Sequence, residues 1–295
     1  METASLTRRE LEDLVNAIAA EVVRQIRPST GSEVTISRVH GGGTKSLRKE
    51  ENCERYRAAN DAVNPAAIRL SPDVRSLAGL MDHTLLRPEA TRSQIEKLCD
   101  EALQMGFAAV CVNPAWIPLV VEKLRGSKVL AATVAGFPFG ATSTAAKRRE
   151  AQAAILEGAQ EVDMVMNIGA MKSGELDRVE VDIRGVAEVC HTSGAALKVI
   201  IENGYLTEPE KVTACQVVKR AGAEFVKTST GFGPSGATEA DVRLMRQSVG
   251  PGMGVKAAGG IRTLHDALRM LQAGATRLGT SSSLSILGEA SALAN

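Results

Sequence analysis

The stretch EVDMVMNIGAMKSGELDRVEVDIRGVAEVCHTSGAALKVIIEN (161–203) sets the fold. It opens on a short apolar run, EVDMVMN (161–167). It then passes through a segment of helical period at 177–190 and closes on a second apolar run, ALKVIIEN (196–203). Short apolar runs on either side of a helix read as strand–helix–strand. The same rhythm begins near Leu77. Upstream it gives the strands GLMDHT (79–84), FAAVCVN (107–113) and KVLAATVAG (128–136). Downstream it gives EFVKTST (224–230), GVKAAGG (254–260) and TRLGTSS (276–282). Further helical stretches lie at 91–105, 143–157, 208–221 and 263–273. Several strands follow a glycine, as at Gly106-Phe107, Gly158-Ala159, Gly222-Ala223 and Gly274-Ala275, where Gly suits the left-handed position just past a helix. Eight such units in series predict an α/β fold, a closed parallel (β/α)8 TIM barrel. The alternative is an open doubly wound sheet, but eight strand–helix units in series favour the closed barrel.

Composition agrees with covered parallel strands. The 295-residue chain is 44% hydrophobic but only 3% aromatic, with 27 glycines, so its core must be built from Ala, Val, Leu, Ile and Met. The net charge of +1 excludes a strong field for nucleic acid or an anionic membrane, and any anionic ligand must be held by a local site. Five cysteines without a CxxC pair predict reduced thiols and a cytoplasmic setting. No apolar run approaches the ~20 residues that span a bilayer, and the charged N-terminus lacks a signal core.

Three regions separate by composition. Residues 1–27 hold an amphipathic helix over 5–27, with Leu11, Leu14, Val15, Ile18, Val22 and Ile26 at helical spacing, Thr7 and Glu10 as a capping box, and Pro28 as its stop. Residues 28–70 read as a linker containing Gly41-Gly42-Gly43, with a short charged helix within 47–70. Residues 71–295 form the barrel.

The barrel strands carry charges amid apolar neighbours: Asp82, Asp163, Lys198, Lys227 and Lys256. Any one lysine alone could face solvent. Three lysines on consecutive strands are harder to place outside, because helices cover parallel strands and a buried unpaired charge costs several kcal/mol. A lysine of pKa about 10.4 is neutral in only ~1 molecule in 2,500 at pH 7. Desolvation and a neighbouring ammonium lower that pKa and make a Schiff-base nucleophile. Lys227 is the candidate nucleophile, Lys256 its cationic neighbour, and Asp163 the carboxylate for proton transfer, an ion-pair partner being its other reading. Gly231, Gly259-Gly260 and Gly279-Thr280-Ser281-Ser282 follow three neighbouring strands and suit a phosphate held by backbone N–H groups. The histidines His40, His83, His191 and His265 have no ligand spacing, so no metal is expected.

These motifs carry a resemblance. MDHTLL (81–86), VCVNP (110–114), VAGFPFG (134–140), EVDMVMNIG (161–169), LKVIIE (197–202), VKTSTGF (226–232), GVKAAGGIRT (254–263) and LGTSS (278–282) resemble the deoxyribose-phosphate aldolases, class I aldolases of the TIM-barrel fold. The resemblance covers residues 77–290. It implies reversible cleavage of 2-deoxy-D-ribose 5-phosphate to D-glyceraldehyde 3-phosphate and acetaldehyde, with no cofactor, by a homo-oligomer, a dimer in the first instance. It carries the Schiff base onto Lys227, the second lysine onto Lys256 and the proton-transfer carboxylate onto Asp163. It adds Asp82, Thr84, Cys111 and Lys198 in support, and Gly231, Gly259, Gly260, Ser281 and Ser282 as phosphate contacts. Two departures stand out. Phe232 follows KTSTG where some members have Lys, and no Tyr follows Tyr205. The N-terminal extension resembles the encapsulation peptides of bacterial microcompartments, which implies a shell protein as partner through residues 5–27. Packing of that helix on the barrel or in a dimer contact is the alternative. The other functional readings are a Schiff-base aldolase for a different sugar phosphate, and a catalytically idle barrel serving as cargo or scaffold.

Overall fold

The computed structural model describes residues 74–294. The amphipathic helix, the linker and the charged helix expected before residue 71 lie outside the described residues. The barrel is closed, with strand order β1 to β8 in sequence and every neighbouring pair parallel. Its strands are β1 (Met81–Leu85), β2 (Ala109–Val112), β3 (Leu130–Ala135), β4 (Glu161–Val165), β5 (Ala196–Ile200), β6 (Phe225–Lys227), β7 (Gly254–Ala258) and β8 (Arg277–Thr280). The helices are α1 (Val74–Ala78), α2 (Arg92–Met105), α3 (Ile117–Lys123), α4 (Thr144–Leu156), α5 (Ile168–Lys172), α6 (Leu176–Thr192), α7 (Glu208–Arg220), α8 (Glu239–Val249), α9 (Leu264–Gln272) and α10 (Ser283–Ala294). None of them is long and apolar enough to cross a membrane.

Local chemistry explains the boundaries. α2, α7 and α9 begin with capping boxes, Thr91 with Gln94, Thr207 with Glu210 and Thr263 with Asp266. α2 ends at Gly106, whose φ of +74° is a conformation that side chains resist. Helices α3, α8 and α10 complete units for which the sequence reading names no helix. β6 is shorter than the expected EFVKTST strand. Its ladder stops at Lys227, and Thr228 turns to exchange hydrogen bonds of 3.1 Å with the backbone of Ala258.

Each strand alternates between two environments. Outward residues such as Met81, Val110, Val162, Met164, Leu197, Val199, Val226, Val255 and Leu278 belong to the one large core packed under the helices. Inward residues fill the barrel. At one end Ala196, Phe225 and partly buried Leu130 form an apolar plug. A Cβ on Gly254 would lie 2.2 Å from the Phe225 ring, so only glycine lets β7 pass that ring. Gly254→Ala should therefore destabilise the protein by about 1–3 kcal/mol through overpacking, read as a lower denaturant midpoint; an unchanged midpoint would show that the ring has room to move.

Candidate active site

Above the Phe225 plug the barrel interior is ionic. Lys227 Nζ and Lys256 Nζ both lie 2.7 Å from Asp163 Oδ2. Lys198 Nζ lies 2.9 Å from Asp163 Oδ1 and 2.6 Å from Glu161 Oε2. Lys256 also bonds Asp82. Arg277 reaches Asp82 Oδ1 at 2.7 Å and Glu161 Oε2 at 3.2 Å, while its guanidinium carbon sits 5.4 Å from the Phe225 ring centroid. The ladder explains the assembly: Lys227 is level with Lys256, and Asp163 with Lys198. A Cβ on Gly279 would lie 3.0 Å from Lys256 Cε, so β8 yields space for that side chain.

The structure thus brings Asp82, Asp163, Lys198, Lys227 and Lys256 together. It places them mostly inside the strands, one layer below the mouth, rather than at the strand ends. Only Lys227 closes its strand. Two members of the cluster were not singled out in the sequence. Glu161 lies two residues before Asp163, and Arg277 two before Gly279, so both share the inward face. The signal was available, since each is a charge within an apolar run.

Charge distinguishes the lysines. Four cations meet three carboxylates, so the cluster is neutral when one cation gives up its proton. Burial drives the Lys227 amine below the ordinary lysine value, and the Lys256 ammonium adds to this against the pull of Asp163. Lys256 goes the other way. Burial disfavours its charge, but Asp163 and Asp82 outweigh burial and raise it. Lys198 is likewise raised, by Asp163 and Glu161 against burial. Burial would raise the Asp163 carboxyl, yet Lys198, Lys227 and Lys256 hold it well below the usual carboxylate range. Asp82 is lowered too, burial being outweighed by Lys256 and Arg277. Cys111 lies in the same interior, and burial pushes its thiol up to about 11, so it is no thiolate at neutral pH.

Lys227 alone of the three lysines lines a cleft of about 740 Å³ at the barrel mouth. Thr84, Thr230, Gly231, Gly259, Gly260, Ser281 and Ser282 line the same cleft. All five expected phosphate contacts therefore share one surface with the candidate nucleophile. Gly231, Gly259 and Gly260 have φ of +87°, +85° and +79°, which turn the backbone in a way that side chains resist. Arg262, exposed and on the cleft wall, adds a cation that the sequence reading did not assign. Phe232 is half exposed at the rim and meets Phe137 edge-on at 5.5 Å. His83 also lines the cleft, bonded to Glu101 at 2.8 Å. Among the described residues, no group of His, Cys, Asp or Glu is arranged to hold a metal ion.

Comparison with known proteins gives the family to which the chain is similar. The DeoC/LacD family aldolase profile matches residues 77–288. The deoxyribose-phosphate aldolase of Thermococcus gammatolerans is 58% identical over 213 residues, spanning 72% of this chain and 95% of the relative. That of Streptococcus gordonii is 58% identical over 208 residues, 70% of this chain and 93% of the relative. The tetrameric deoxyribose phosphate aldolase of Aeropyrum pernix superposes with a TM-score of 0.72 at 32% identity, covering 79% of this chain and 98% of that one.

The lowered Lys227 amine is directly testable. With formaldehyde and cyanoborohydride at rising pH, Lys227 should be methylated with a midpoint below that of surface lysines. Lys256→Met removes a neighbouring ammonium, so the Lys227 midpoint should move up. Peptide mass mapping reads both midpoints, and an unmoved Lys227 would break the electrostatic account.

Proposed function

The chain belongs to the DeoC/LacD family of aldolases, and on that premise we propose that Lys227 is the amine through which it acts. Its reaction is the reversible cleavage of 2-deoxy-D-ribose 5-phosphate to D-glyceraldehyde 3-phosphate and acetaldehyde. One observation carries the assignment of Lys227: of the three lysines in the barrel interior, it is the one whose ammonium is disfavoured and the one that opens to the cleft.

The neutral Lys227 nitrogen attacks the C1 aldehyde of the open-chain sugar, and the carbinolamine loses water to leave an iminium. The C3 hydroxyl then gives up its proton, and the C2–C3 bond breaks. Its electron pair moves through C2 to neutralise the iminium nitrogen. Glyceraldehyde 3-phosphate leaves, and C2 of the remaining enamine takes a proton. Water adds to the regenerated iminium and frees acetaldehyde and Lys227. Asp163 touches the Lys227 nitrogen at 2.7 Å as that nitrogen loses its protons. Being held ionised, Asp163 orients Lys227 and passes protons through water, with charged Lys256 and Lys198 bonded to the same carboxylate. Asp82 anchors Lys256, and Thr84 and Cys111 lie level on β1 and β2 above it. The phosphate sits against Gly231, Gly259, Gly260, Ser281 and Ser282, where backbone N–H groups and hydroxyls supply donors.

The enzyme works in the cytoplasm as a homo-oligomer, a dimer in our reading; the four described cysteines are buried and free, as a reducing compartment allows. The amphipathic pattern over 5–27 supports a docking tail for a microcompartment shell, a fitting destination for an enzyme that releases a volatile, reactive aldehyde. Deletion of residues 1–27 should leave kcat and KM unchanged while abolishing co-sedimentation with shell protein. A large loss of activity would instead tie that segment to the barrel. For the chemistry, Lys227→Ala should lose cleavage of 2-deoxyribose 5-phosphate entirely, and borohydride with acetaldehyde should label the wild type at Lys227. No label would favour an idle scaffold, and a label without cleavage would favour another sugar phosphate as substrate.

A further inference from the structure

Glu202 is a buried carboxylate that the chemistry at Lys227 does not use. It sits just past β5 and is 1% exposed. Among the described residues it is the one non-glycine in the left-handed region, at φ 52° and ψ 68°. A residue with a Cβ resists that backbone, so its surroundings must hold it there. Glu202 Oε2 accepts a hydrogen bond from the Thr230 backbone N–H at 3.1 Å and a second from the Thr230 hydroxyl. The Thr230 hydroxyl oxygen in turn accepts the N–H of Phe232 at 3.0 Å. The other carboxylate oxygen, Oε1, is buried with no hydrogen-bond partner.

The loop beyond Thr230 is wedged on both sides. A Cβ on Gly233 would lie 2.7 Å from Glu202 Cδ, and one on Gly204 would lie 2.6 Å from Ser235 Oγ. Across the loop, a Cβ on Gly236 would lie 2.3 Å from the carbonyl oxygen of Gly259, which accepts the Ala237 N–H at 2.9 Å. Gly231 and Gly259, the two halves of the proposed phosphate cradle, are thus joined through a loop whose near end is fastened to Glu202. Lys227 is held differently. Its carbonyl accepts Ile201 N–H, and Thr228 is stitched to Ala258.

We propose that Glu202 is a positioning residue for the phosphate half of the cleft: by fixing Thr230 through two hydrogen bonds it orients the Gly231–Phe232 backbone, and so sets the preference for a phosphorylated sugar over the same sugar without phosphate. This rests on the role given above to Lys227 and the glycine cradle. Without the carboxylate, the Thr230 N–H and hydroxyl lose their acceptor and the loop loses its fastening, while the ladder still holds Lys227.

The test compares wild type, Glu202→Ala and Glu202→Gln on 2-deoxyribose 5-phosphate and on 2-deoxyribose. Glu202→Ala should raise KM for the phosphorylated sugar by about tenfold or more, with kcat for it and kcat/KM for 2-deoxyribose each within about threefold. Glu202→Gln keeps an acceptor oxygen for Thr230 and should restore most of the KM. Acetaldehyde trapping on Lys227 should match wild type in both variants. An equal loss on both sugars, or an unchanged KM, overturns the proposal. Should Glu202→Ala fail to fold, Thr230→Val removes the hydroxyl bridge alone and should still raise KM for the phosphorylated sugar; no rise there overturns the proposal as well. A wild type that traps no acetaldehyde would instead sink the assignment of Lys227 on which the proposal stands.

Discussion

Charge balance inside a buried barrel interior governs this structure. Lys198, Lys227, Lys256 and Arg277 share a buried interior with Asp82, Glu161 and Asp163. Ions leave water at a cost of several kcal/mol each, and only close partners offset it. Three carboxylates offset three cations well. The fourth cation is the odd one, and the deficit falls on Lys227, which has one carboxylate contact where Lys256 and Lys198 each have two or more. The same imbalance that makes the cluster expensive makes one amine nucleophilic. Stability and reactivity therefore share a single count of charges.

The ionic layer also dictates which residues the barrel can hold elsewhere. An eight-stranded barrel has an interior just wide enough to be filled by side chains. Lysine and arginine on β5 to β8 are long, so their neighbours must be short. Ala109, Cys111 and Ala132 face them from β2 and β3, and Gly254 and Gly279 have no Cβ where the Phe225 ring and Lys256 pass. Phe225 has room for its ring because Gly254 faces it, and its face then receives Arg277 at the base of the ionic layer.

Much of this was legible in the sequence, for physical reasons. Strands buried on both faces read as apolar runs, and eight of them spaced by helices leave few topologies. Lys227, Lys256, Lys198, Asp163 and Asp82 announced themselves as charges where apolar side chains belong. Glu161 and Arg277 gave the same signal but sit near the first residue of their strands, where a charge reads as the edge of a loop. Their role depends on barrel register, which brings β4 and β8 to one cluster across the interior. Glu202 was hidden for another reason: its meaning lies in a backbone conformation and in contacts with Thr230, some 28 residues away. The expected strand runs past the β6 boundary because Thr228 and Thr230 favour strands locally, whereas the Thr228 hydroxyl here accepts the Ala258 N–H in place of a ladder carbonyl.

The barrel mouth has two unlike halves, and their contrast argues for an enzyme over a scaffold. At the end of β1, Leu85 and Leu86 line the cleft, and Leu86 packs on an apolar group of Cys111, Ala132, Val134 and Phe137. On the β7–β8 side, glycine turns, serines and Arg262 make a polar wall. Lys227 stands at the mouth, where the cleft meets the ionic layer. A molecule with a deoxygenated carbon at one end and a phosphate at the other matches that polarity. A scaffold has no use for it, and has still less use for a lysine whose ammonium is disfavoured by burial and by Lys256 beside it. Buried charges that serve packing alone are readily replaced by apolar residues of similar volume, often with a gain in stability. Keeping six of them around one amine makes sense when the amine must react.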